Sequence, residues 1–70
     1  MATFQRLTTS EIVKSQDGSI TVRIEKFQKI GTDRVFFAPE VNGLRINRTM
    51  YARKYDAKGL AKRYISHKSN

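Results

Sequence analysis

The side chains that could do chemistry in this sequence are cationic and aromatic, and they crowd into its second half. They are Arg45, Arg48, Arg53, Lys54, Lys58, Lys62 and Arg63, with Tyr51 and Tyr55 between them. A guanidinium grips phosphate through a planar fork and stacks on bases, and a phenol offers a π-face with a polar tip. That mixture suits a nucleic-acid surface better than lysines alone would. The formal net charge is +8, and residues before Arg34 contribute little of it. There Arg6, Lys14, Arg23, Lys26 and Lys29 are nearly balanced by Glu11, Asp17, Glu25 and Asp33, whereas beyond Arg34 the only acids are Glu40 and Asp56. Localised positive charge on a small chain is the footprint of a polyanionic partner, DNA or RNA. The plainer use of such charge is solubility. Tyr51 and Tyr55 could also cover a sheet edge or seal a helix end, and the stem of Arg48 could lie over apolar surface with its head in water. Lys58 and Lys62 would then be an ordinary solvated helix face.

Catalytic constellations have little to build on. The single histidine, His67, stands near the C-terminus, cysteine is absent, and the four glycines form no phosphate-cradling loop. No serine sits on a glycine-flanked elbow. Asp17, Asp33 and Asp56 each suit a local turn or cap. The expectation is therefore a protein that is not an enzyme, with no catalytic residues, no metal site and no cofactor. Without thiols, packing in these 70 residues has no covalent or thiolate-metal support. No apolar run approaches a membrane span or a signal-peptide core. A single small basic domain over residues 1–70, cytoplasmic and with no membrane partner, is the resulting expectation.

The elements that must position the cations follow from periodicity. Between Asp56 and Lys68, the residues Ala57, Leu60, Ala61, Tyr64 and Ile65 recur at helical spacing. This predicts a helix with an apolar stripe centred on Leu60, and Lys58, Lys62, Arg63 and Ser66 on its other side. Asp56 reads as the N-cap, and His67 and Lys68 suit the negative end of the dipole. A helix this short needs a surface to lie on.

The preceding residues read as strands. Ile20, Val22 and Ile24 alternate with Thr21, Arg23 and Glu25, so the first set belongs to a core. The phase slips at Lys26 and Phe27, which turns Phe27 outward unless a bulge returns it. Asp17-Gly18 has the composition of a tight hairpin turn with positive φ, which asks for a strand over Glu11 to Ser15, starting as early as Leu7. The same stretch also fits a short helix, with Thr8 and Glu11 as a capping box and Leu7 against Ile12 as a staple. After a turn at Gly31-Thr32-Asp33 comes a short apolar strand, Val35 to Ala38. Pro39 lacks an N–H and should end that strand or confine it to an edge. Asn42-Gly43 is the stronger hairpin signal. Beyond it, Leu44, Ile46, Met50 and Ala52 would form a floor for the helix on a long fourth strand, with Arg45, Asn47, Thr49, Tyr51, Arg53 and Tyr55 as a solvent-facing row.

The expected fold is α+β: a small three- to four-stranded antiparallel meander with one C-terminal helix packed on one face. Strands, an Asn-Gly hairpin and a helix running from Tyr55-Asp56 through Ala61-Lys62-Arg63-Tyr64 resemble the arm-type DNA-binding domains of integrases. In those domains a three-stranded sheet reads a groove and a helix backs it. The resemblance is one of architecture over roughly the last two thirds of the chain and transfers no residue roles. In size and composition the chain also looks like small basic accessory proteins of phages and mobile elements. The expected function is nucleic-acid binding through Arg45, Arg48, Tyr51, Arg53, Lys54, Lys58, Lys62 and Arg63. The alternative is a protein-interaction module, an inhibitor or accessory subunit, docking on an acidic or nucleic-acid-bound protein partner.

Overall fold

Alternation along β2 (Thr21–Lys29) divides the protein into two layers. In the computed structural model, which describes residues 3–69, Val22 and Ile24 are fully buried on the side covered by α1 (Lys54–Ser69). They meet Ala57 and Ala61, also fully buried, whose methyl side chains let the helix approach the sheet closely. Val13, Ile20, Phe37, Val41, Ile46, Tyr51, Tyr64 and Ile65 pack around this centre. Strands β1 (Phe4–Lys14), β2, β3 (Val35–Val41) and β4 (Leu44–Arg45) form an antiparallel sheet in chain order, and α1 lies chiefly against β3 and β2. The fold is thus the expected α+β meander with a C-terminal helix on one face.

Residues 4–14 form a strand and not a helix, although their pairing with β2 is interrupted between Arg6 and Thr9 and again between Thr9 and Glu11. The loop joining β1 to β2 is wider than a two-residue turn. Ser15 donates its N–H to the carbonyl of Ile20, and only Gly18 in this loop has positive φ (78°). The carboxylate of Asp17 organises the loop by accepting from the Ser19 N–H and from the hydroxyls of Ser15 and Ser19, which holds its pKa down to about 2. The second hairpin is the tight one. Asn42 and Gly43 have φ of 54° and 81°, as a type I′ turn requires, and they set Val41 opposite Leu44.

Two further sequence expectations fail in instructive ways, and a third is met with a consequence that alternation does not show. Pro39 neither ends β3 nor confines it to an edge, because β3 runs through it between β2 and β4, and Pro39 is buried opposite Ile24. Its carbonyl accepts the Ile46 N–H at 3.0 Å, so its missing donor points toward β4 and leaves the ladder with β2 intact. The return bond to Ile46 cannot form, and β4 stops at Arg45 instead of continuing to Tyr55. The chain bulges away and rejoins only at Tyr51, which exchanges backbone bonds with Phe37 at 2.7 and 2.8 Å. Leu44 is accordingly no floor for the helix: it is 74% exposed.

The second difference concerns the helix. Arg53 takes the cap position, its carbonyl accepting the N–H groups of Asp56 and Ala57 at 3.2 and 3.4 Å, and Asp56 lies inside the first turn. A carboxylate there still complements the dipole. The stripe is centred on Ala57 and Ala61, while Leu60 is only partly buried. The expectation for Phe27 is met. No bulge interrupts its pairing with β3, so it does point to the face opposite the helix, yet it is only 6% exposed.

Candidate nucleic-acid interface

What covers Phe27 is charge. Arg6 crosses from β1 over β2, with its guanidinium 4.9 Å from the centre of the Phe27 ring, and reaches Glu40 on β3. Its two terminal nitrogens donate to the two carboxylate oxygens of Glu40 at 3.3 and 3.1 Å, and one lies 3.5 Å from Glu25. Glu25 also accepts from the Thr9 hydroxyl at 2.9 Å. These bonds satisfy two carboxylates that are 6% and 4% exposed on a face with no helix over it. Arg45 stands beyond Glu40 on β4 and faces the same ring from 5.9 Å. The open face of the sheet is therefore a neutralised, closed lattice at its centre and not a bare platform of cations.

A second set of ion pairs lies under the helix. Lys54 and Lys58, one helical turn apart, both reach Glu11 on β1, at 3.6 and 2.6 Å. The hydrogen bond from Lys58 holds the Glu11 carboxyl below its ordinary pKa, with Lys54 adding to the effect. Lys62 continues that row by the same spacing and is exposed. These three lysines of the expected site belong to the β1 side of the helix, and two of them are already occupied.

The remaining members of the site gather along the opposite edge. Arg45 is on β4, and Arg48 is at the tip of the bulge, where the Asn47 side chain accepts the Thr49 N–H and donates to the Tyr51 hydroxyl. Arg53 caps the helix, and Arg63 projects from the helix flank next to Tyr51. All four arginines lie at the surface, and none forms an ion pair among the described residues. Tyr51 is half-buried, while Tyr55 is 82% exposed on the helix. A shallow groove lies between them, bounded by Asp56, Gly59, Leu60 and Arg63.

The expected row on one long strand is thus replaced by an arginine edge made of a short strand, a bulge and a helix flank. Gly59 and Leu60, which help to shape it, are not among the residues that charge and aromaticity single out. A glycine in mid-helix is their one visible signal. Comparison with protein-family models, curated proteins and solved structures finds no match to this chain. Among the described residues no helix is long and apolar enough to cross a membrane.

Proposed function

We propose that the protein binds nucleic acid along the β4 edge, with Arg45, Arg48, Arg53 and Arg63 as the phosphate contacts. The observation that carries this reading is the sorting of charge. Glu11, Glu25 and Glu40 are consumed by Arg6, Lys54 and Lys58, and of the many cations left without an acidic partner among the described residues four are the arginines of β4, the bulge and the helix. A polyanion is the partner such an edge attracts. Arginine, with its fork and its stacking face, recurs at every cationic position of that edge.

Reversing Arg48 and Arg53 together to Glu should weaken binding of a labelled oligonucleotide by roughly 100-fold or more, since each charge-assisted hydrogen bond to phosphate is worth about 1.5–3 kcal/mol. Neither side chain supports the core, and a carboxylate at the Arg53 cap position complements the helix dipole, so the thermal melt should not fall. Reversing Lys14 on β1 and Lys29 on β2 instead makes the same change of charge away from β4, and its effect should be small. Equal weakening in the two double variants would mean diffuse attraction with no edge behind it.

A second reading has one observation in its favour. The outer edge of β1 has no strand partner among the described residues, and Leu7 and Ile12 on it are exposed, so a protein partner could add a strand there. The interrupted pairing near Thr9 works against regular strand addition. On this second reading, oligonucleotide affinity would be absent and neither reversal would matter to the protein partner.

A further inference from the structure

Resting on the nucleic-acid reading, we infer that the groove between Tyr51 and Tyr55 receives an unpaired base, which makes the preferred ligand a single strand. Tyr55, Gly59 and Arg63 follow one another at four-residue intervals and so line one side of α1, facing Tyr51 across the groove. Gly59 is the informative residue. A Cβ there would meet nothing within 4 Å, and its backbone is ordinary helix with no positive φ. Nothing inside the fold asks for glycine, although glycine disfavours a helix interior relative to alanine. A bare backbone on the floor of a groove leaves room for a flat group to approach closely.

The surroundings select the kind of flat group. Tyr55 exposes most of its ring, and the half-buried Tyr51 is steadied by the bond from Asn47 to its hydroxyl. An aromatic ring as exposed as that of Tyr55 stacks bases with little regard to sequence. Charge complementarity sets the direction: Asp56 at the start of the helix repels phosphate, while Arg63 at the far end of the groove attracts it. The base then lies over Gly59 beside Tyr55, with its phosphate on the Arg63 side of the groove. A base held in a duplex cannot offer its face to this groove.

The test is anisotropy of fluorescein-labelled single-stranded RNA and DNA, and of a duplex of the same length, with the wild type, Tyr55→Ala, Tyr55→Phe and Gly59→Leu. Tyr55→Ala should weaken single-strand binding about 5- to 150-fold, the range of one stacked base, and Tyr55→Phe should restore it. Gly59→Leu fills the groove and should weaken the single strand by a similar factor, while melting no lower than the wild type because leucine favours helix. Duplex affinity should not move in any variant. If the wild type binds and the single-strand affinities of Tyr55→Ala and Gly59→Leu are unchanged, the groove inference is overturned and the nucleic-acid reading stands. Equal weakening of single strand and duplex also overturns it. Should the wild type bind no nucleic acid at low salt, the reading beneath it fails as well.

Discussion

Ile24→Ala should leave little folded protein at room temperature, whereas Leu60→Ala should retain a cooperative thermal transition. Ile24 is fully buried in the middle of β2, directly under the helix, and pairs with Pro39 in β3. Truncating it removes buried apolar surface and opens a cavity between sheet and helix, at a cost of about 2–5 kcal/mol. A single core in a chain this size supplies no more than about 3–5 kcal/mol in total, and no disulfide adds to it. Leu60 lies at the rim of the groove and keeps part of its surface in water, so its truncation should cost nearer 1 kcal/mol, by about 25 cal/mol for each Å² of apolar surface. Thermal melts followed by circular dichroism compare the two directly. The reverse order would mean that the helix is rotated about its axis, with Leu60 and not Ala57 and Ala61 against the sheet.

Arg6→Met should destabilise the protein by about 2–4 kcal/mol, a range that allows for solvent screening at a guanidinium side chain that is 51% exposed. The cost comes from what remains, since Glu25 and Glu40 stay buried without the cation that, among the described residues, reaches both. Adding Glu40→Gln to Arg6→Met should therefore recover part of that stability, because it removes one of the two uncompensated charges. In the Arg6→Met background the second substitution stabilises; in the wild type it should destabilise. This change of sign separates an electrostatic clamp from simple packing of the arginine stem over Phe27. If Glu40→Gln is destabilising in both backgrounds, the clamp is not what ties β1 to β3 across the sheet.

How much of this could be read from the residues depended on whether a signal was local. The Ile20, Val22 and Ile24 alternation and the Asn42-Gly43 turn are local, and both produced the elements they indicate. The break in β4 is a consequence of two local facts taken together. The tight hairpin that pairs Val41 with Leu44 carries Pro39 to a place opposite Ile46, where a missing N–H ends the ladder. Alternation from Leu44 to Tyr55, continued without that register, gives a strand too long. The helix period was plain, but its rotation was not, because two alanines carry less apparent hydrophobicity than Leu60 and yet alone allow the close approach to Val22 and Ile24.

The candidate site divides along the same line. That Arg45, Arg48, Arg53 and Arg63 are numerous and unbalanced is visible in composition. That Lys54 and Lys58 are spent on Glu11 is not, since the pairing depends on which flank of the helix overlies β1. Nor does alternation alone show that Arg6, Glu25 and Glu40, each outward-facing on its own strand, close over Phe27. Outward residues of three neighbouring strands can neutralise one another across a sheet, so solvent-facing charge in a sequence overstates the charge left for a partner.

The most direct test of the arginine edge is the salt dependence of oligonucleotide affinity for the unmodified protein. If Arg45, Arg48, Arg53 and Arg63 each displace a counterion, log K falls linearly with log salt, with a slope of about −3 on single strands and about −3.6 on duplex. A slope near zero, or no binding below the micromolar range even at low salt, would leave the edge without a nucleic-acid role.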